Sequence, residues 1–494
     1  MLPVISDKEL SEIFLSEKQM GIYEFLLELN GMCSSLNKLD KQVEKLEGLL
    51  ETIKESEYLS TLYVLALIKN ADDMGGLDGK VPAEKAIGHI KYMTGKFGMT
   101  NNVLFVHGLW HRDIHKIAHG EIDRNKGAEL LKMVVESSEE PVYALELAKA
   151  LFKTGQKREA AVVLKGIIEA GPSGDMHSQI IAEAKVWYEH ANKDTKIEVR
   201  IPNISFLDKV LDTNCSVISL GSDSCPYCLP ALEDLDTVCN TVKKAGKELK
   251  LVTPVVFQKH WDMVLEYVNT VIKKYPDLKL VINDYGILNH LKNSGYNMKN
   301  VALGHVLSYI YEECPWFDYL LEAEGDFLKN SEEITVFDTP GNLSVIEEFG
   351  IGEVETCMMP FAVSSFYGFW EHGFNVNAMV DMIPFTYGRA CHGARYYGKE
   401  VGKDCFGVCD KITKLRYSHR WIFQEKQLEK IKDVTYDRIS VMHSYGNVIY
   451  SKTNYEATEK DVNKVDAITI DIRHYTDEEL NSILQNYLPL TKNS

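Results

Sequence analysis

Beyond about residue 203, short apolar runs alternate with helical stretches, and this alternation limits the fold more than any other feature of the chain. The runs are Val217–Leu220, Leu249–Phe257, Leu278–Asn283, Val301–Leu307, Ile334–Phe337, Val354–Met359, Met379–Pro384 and Ile468–Ile472. Repeated strand-then-helix units place strands in parallel, joined by helical crossovers. About eight strands in roughly 290 residues suit a closed (β/α)8 barrel better than an open sheet, and such a barrel carries its chemistry just after the strand ends.

Residues 1–195 read as helix throughout. Leu39–Lys54 spaces its leucines helically with charges between them. Residues 141–172 fit one tetratricopeptide repeat, with Leu147, Ala148 and Leu151 on the first helix, Gly155 at the turn, Ala160 and Leu164 on the second, and Pro172 closing the unit. The polar Asn192-Lys193-Asp194 and the non-helical Arg200-Ile201-Pro202-Asn203 mark a boundary near 190–203. The expected class is therefore α/β: an all-α, tetratricopeptide-like helical-repeat module over 1–195, then a TIM-like barrel over 203–494. A helical module of this kind presents a surface to a protein partner.

The formal net charge of −18 disfavours non-specific nucleic-acid binding through the global field. Lys399, Lys403, Lys411, Lys414, Arg416 and Arg420 still make one stretch locally basic. No run of 18 apolar residues predicts a membrane span. The opening MLPVISDKELSEIF lacks the basic and apolar regions of a secretory signal. A reducing, cytoplasmic setting is expected, so the ten cysteines, most of them beyond residue 214, point to metal or redox chemistry rather than disulfides.

Three of them fall within Tyr387–Cys409, a polar, glycine-rich stretch: Cys391, Cys405 and Cys409, with gaps of thirteen and three residues. Thiols clustered on one loop can converge on a metal centre, and spacing alone leaves zinc and iron–sulfur both open. The bland alternative is three unrelated buried cysteines. Ser224-Cys225-Pro226-Tyr227-Cys228 follows a strand and precedes a helix. It matches a glutaredoxin-like dithiol, and a thiol lowered in pKa by a helix start is equally a good metal ligand.

Asn283 and Asp284 end one strand, where an acid can orient a substrate or cap the next helix. His305 ends another; a lone histidine is more commonly a satisfied core residue. Arg389 and Arg395 flank Cys391 and can clamp a carboxylate, neutralise a cluster or stand as solvated loop charges. His107, His111, His115 and His119 recur every four residues, so neighbours share a helix face and can ligate a metal. The bland reading is a polar stripe. The sequence has no HExxH, no GxxxxGK[ST], no GxSxG and no C-x3-C-x2-C motif.

Together these residues resemble the collagenase-like "peptidase U" family, which includes the oxygen-independent ubiquinone and tRNA/rRNA hydroxylation proteins. The resemblance rests on the ordered series VISLG leading to Cys225, LVTPVV (Leu251–Val256), NDYGILNHL (Asn283–Leu291), Gly304-His305, Met359-Pro360 and the C-x13-C-x3-C of Cys391, Cys405 and Cys409, against C-x12-C-x3-C in the family. It covers about residues 205–475. It implies a TIM-like barrel with a 4Fe-4S cluster held by Cys225, Cys391, Cys405 and Cys409, with Cys228 the reserve ligand. It also implies hydroxylation of a small aromatic molecule or a nucleobase, with Asp284, His305, Arg389 and Arg395 as candidate substrate contacts. The alternatives are a non-catalytic partner subunit of such an enzyme, a peptidase or hydrolase, and a CPYC dithiol oxidoreductase.

Overall fold

The computed structural model describes residues 22–32, 38–53, 55–74, 78–119, 123–171, 175–308, 310, 340–359, 366–388, 390–399, 405, 409, 412–415, 442–453 and 455–491. It divides into two compact units, with the change between Ala191 and Asn192.

The first unit is helical throughout its described residues. Successive helices pack as neighbours. Pro141–Lys153 and Lys157–Ala170 form the hairpin expected there, with Gly155 in the turn at a φ of +75°. Leu147, Ala148, Leu151, Ala160 and Leu164 are all buried in it. Pro172 lies outside the described residues. The Asn101–Asp113 and Arg124–Ser137 helices cross where Gly108 meets Gly127. A Cβ on Gly108 would come within 2.8 Å of Leu131, so this glycine serves a close helix contact rather than merely weakening its helix. No helix among the described residues is long and apolar enough to cross a membrane.

The second unit is built on a closed barrel of eight parallel strands. These are β1 (Lys196–Ile201), β2 (Val217–Gly221), β3 (Glu248–Val252), β4 (Lys279–Ile282), β5 (Val301–Leu303), β6 (Glu353–Cys357), β7 (Asn375–Met379) and, later in the chain, β12 (Ala467–Asp471). β1 closes the ring by pairing in parallel with both β2 and β12. The expected TIM-like barrel is therefore present, with two differences in its strands. The ring opens with β1, in the segment read from sequence as the domain boundary. The run Met379–Pro384 is not itself a barrel strand: β7 ends at Met379, and Asp381, with a φ of +64°, turns the chain out of the barrel into the strand that begins at Met382; Asp tolerates that conformation better than most residues. Ile334–Phe337 lies outside the described residues.

The excursion after Asp381 forms a second, antiparallel sheet in the order β8-β11-β10-β9. Its strands are β8 (Met382–Tyr387), β9 (Thr413–Leu415), β10 (Met442–Tyr445) and β11 (Val448–Lys452).

The barrel lumen is ionic. Arg200 on β1 pairs with Glu355 on β6, and Lys250 on β3 pairs with Glu198 on β1 at 2.7 Å and with Glu353 on β6. Neither β1 and β6 nor β3 and β6 are neighbours in the ring, so these side chains meet across its interior. Asn377 donates to Glu198 at 2.9 Å and accepts from Thr469 at 2.9 Å. All but Glu353 are nearly or fully buried. The two cations need counter-charges, since an unpaired buried ion costs several kcal/mol. Glu198, 3.6 Å from Arg200 and also paired with Lys250, and Glu353 can supply them.

Candidate thiol centre at the barrel mouth

The C-terminal end of β2 delivers Ser222-Asp223-Ser224-Cys225, and Pro226–Cys228 form a single 3-10 turn. The β10–β11 hairpin reaches the same place. Its turn residue Gly446 has a φ of +60°, and a Cβ there would contact Ser224 and Cys225. The Gly446 carbonyl accepts from the backbone N–H of His392 at 2.9 Å and of Gly393 at 3.2 Å. It also lies 3.5 Å from Cys391 Sγ, which donates to it. One hairpin tip thus holds the CPYC turn and the start of the His392–Tyr396 helix together.

Four thiols meet as a result. Cys228 is hydrogen bonded to both Cys225 and Cys409, and Cys409 to Cys391. Hydrogen bonds from Cys225, Cys409 and Ser224 lower the Cys228 pKa to about 3, with Arg473 adding to the effect. A bond from Cys409, with the backbone N–H groups of Ala394 and Gly393, lowers Cys391 to about 6. Cys225 and Cys409 are pushed up, first because they act as the donors in these pairs and then by burial. The four sulfurs therefore form one chain of contacts, in the order Cys225, Cys228, Cys409, Cys391. Cys405 is exposed.

Beside the thiols lies a buried polar network. Asp223, fully buried, accepts from Tyr387 Oη at 2.9 Å and Tyr450 Oη at 3.0 Å. His305 Nδ1 is 3.0 Å from Tyr387 Oη. With the tyrosine proton given to Asp223, His305 holds its own on Nδ1. Arg473, just past β12, donates to Asp471 through Nε at 2.9 Å, to Ser222 through Nη1 at 2.7 Å and to Tyr450 through Nη2 at 2.7 Å. Its guanidinium lies over the Tyr445 and Tyr450 rings, 4.6 and 5.0 Å from their centroids. Tyr445 in turn hydrogen bonds to Cys228. Next to Cys228 is a cavity of about 230 Å³ lined by Ile204, Leu220, Tyr227, Pro230, Asp234 and Tyr445.

Tyr387→Phe removes a donor from Asp223 and a partner from His305. It is expected to cost about 1–3 kcal/mol in denaturant unfolding, the range for a buried polar group left without its bond. Tyr285→Phe, on an exposed helix position, is expected to change little.

The other sequence candidates divide. Cys225, Cys228, Cys391 and Cys409 come together, and His305 joins the network. Asp284 caps the Tyr285–Ser294 helix, accepting from the N–H groups of Gly286 and Ile287 at 2.8 and 3.1 Å. Arg395 is exposed on the helix after Cys391. Arg389 lies outside the described residues, as do Lys403, Lys411, Arg416 and Arg420. Sequence reasoning missed Asp223, Tyr450, Asp471 and Arg473. A signal existed for three of them, since Asp223, Asp471 and Arg473 all stand at barrel strand ends.

The histidine series lies in the helical unit. Adjacent rings from His107 to His119 are 4.8, 5.0 and 4.9 Å apart, and Trp110 presents an edge contact to His111, His115 and His119. Burial, reinforced by His107 and His115 against the pull of Asp123, lowers the His111 pKa to about 4.

The fold and site define a parallel-barrel protein with a thiol-rich centre at its C-terminal mouth. No protein-family model, curated protein or solved structure matches the chain.

Proposed function

We propose that this centre holds a 4Fe-4S cluster and that the protein takes part in oxygen-independent hydroxylation of a small aromatic molecule or a nucleobase. The observation that carries the cluster is the meeting of four thiols from two separate chain segments at the mouth of a closed parallel barrel. The donor set fits the group, because convergent thiolates are the usual ligands of iron–sulfur centres. Cys391 and Cys409 are named both by the spacing and by the contacts, and they are two of the ligands. The other two come from Cys225, Cys228 and Cys405. The reaction class rests on the family resemblance.

When bound, such a cluster supplies one-electron transfer. The chain's own residues shape the rest. Asp223 and Arg473 fix the tyrosines around Cys228. Tyr387 Oη, between His305 and Asp223, holds a proton at the barrel mouth. The cavity beside Cys228 is below the roughly 300–1,000 Å³ of a common ligand pocket and suits a single ring. Arg395, exposed on the helix that Cys391 caps, is the proposed contact for a carboxylate arriving from solvent. The tetratricopeptide-like helices offer a docking surface for a protein partner.

A single tetrahedral zinc ion holds its sulfurs under about 4 Å apart. Among the described residues no three of these sulfurs lie within 4.8 Å of one another, so the wider spacing of a multi-iron cluster fits them better.

The test is iron, zinc and acid-labile sulfide content in anaerobically purified variants. Cys391→Ala and Cys409→Ala are each expected to lose iron and sulfide together. Loss in Cys228→Ala identifies the contacting thiol as a ligand, and loss in Cys405→Ala identifies the spaced one. Full iron in both Cys391→Ala and Cys409→Ala, or zinc in place of iron, contradicts the reading.

A further inference from the structure

We propose that His111, His115 and Asp123 form a zinc-type divalent-metal site in the helical unit, separate from the cysteines. One donor atom from each residue lies within 4.8 Å of the other two. Zinc bonds of about 2.0–2.2 Å to nitrogen and oxygen put tetrahedral donors about 3.3–3.6 Å apart, so a closure of about an ångström completes the set.

The observation that separates this from an ordinary histidine–aspartate contact is at His111. Its Nδ1 lies 3.1 Å from Asp123 Oδ2, yet it is buried and makes no aligned hydrogen bond. The ring nitrogen and the carboxylate oxygen are in contact but out of line for an N–H···O bond. That arrangement suits two donors directed at a third atom. The backbone supports it. The Asn101–Asp113 helix stops at Ile114 and restarts at His115, but the two rings stay stacked, with an interplanar angle of 16°. Asp123 enters from the residue just before the Arg124–Ser137 helix. Two imidazoles and one carboxylate are a recurrent zinc donor set, leaving a position for water or a further ligand. His107 and His119 flank the pair on either side, each about one ring distance away.

The probe is Co2+ added to the full-length protein and followed by visible absorption. Bound at nitrogen and oxygen donors, cobalt gives d–d bands without the sulfur-to-cobalt charge transfer that the thiol centre would produce. One equivalent with that spectrum is expected. Asp123→Asn and His115→Gln should each weaken binding by more than the roughly 100-fold that follows loss of an outer-shell partner. Cys391→Ser should leave these bands unchanged. Asp123 is 41% exposed, so its variant keeps the fold, which far-ultraviolet circular dichroism checks. Absence of sulfur-free d–d bands at saturating Co2+, or bands of equal strength in both variants, overturns the site.

Discussion

Arg473→Met is expected to destabilise the barrel by about 3–5 kcal/mol, the cost of removing one partner from a buried ion pair. Arg473 holds Asp471 through Nε and Nη2, and its Nη2 is also 3.8 Å from Asp223. Both carboxylates are buried. Burial alone would raise the Asp471 pKa, but Arg473 overrides it and holds the group at about 2. The sign of the pH effect follows. In the wild type, ionised Asp471 adds stability above the ordinary aspartate pKa of about 4, and that contribution is lost as pH falls towards 2. In the variant burial is opposed only by the smaller pulls of His474 and Arg200 and by the backbone N–H of residue 473, so the pKa rises and the stability gained above about pH 4 shrinks. Urea unfolding of the barrel transition at several pH values reads both effects. Asp471→Asn added to Arg473→Met should recover part of the loss. Unchanged stability in the single variant would show that the guanidinium does not hold these acids.

Glu355→Gln is expected to act through pH. Burial pushes Glu355 up to about 7; Glu198 and Glu353 reinforce that, while Arg200 and Lys250 oppose it. The folded state thus keeps a proton that the unfolded chain releases near 4.5. Stability from this group is fully present below about pH 4.5 and is lost as pH rises through about 7, a difference of roughly 3 kcal/mol at about 1.4 kcal/mol per unit. Glutamine removes the titration. The variant should match the wild type near pH 4.5 and become progressively more stable than it towards pH 7. A stability difference independent of pH across that window contradicts the assignment.

The same ionic lumen explains what the sequence concealed. The pattern of β1, KIEVRI, puts a charged residue at every second position. An inward-facing Glu198 and Arg200 look like linker chemistry until the pairing partners on β3 and β6 are seen. Six of the apolar runs were legible because their buried faces carry Val, Ile and Leu; Ile334–Phe337 lies outside the described residues, and Met379–Pro384 falls mainly on β8, so β7 went unread. The thiols were legible as well, since Cys391 and Cys409 lie on one loop and Cys225 and Cys228 just past a strand end. Their meeting depends on the β10–β11 hairpin around Gly446, a long-range contact that no local pattern encodes. Asp284 shows the opposite case. Its strand-end position fitted a functional acid and a helix cap equally, and its two backbone bonds give the cap. Tyr450 carried no local signal, because an alternating strand residue acquires its role only from the buried Asp223 opposite it.

The most direct test of the thiol centre is iron and acid-labile sulfide content, with a visible absorption spectrum, of the unaltered full-length protein purified without oxygen. The account predicts about four irons and four sulfides per chain, with the broad absorption of a 4Fe-4S cluster that bleaches on reduction. Zinc at those cysteines, or no metal under strict anaerobiosis, would contradict it.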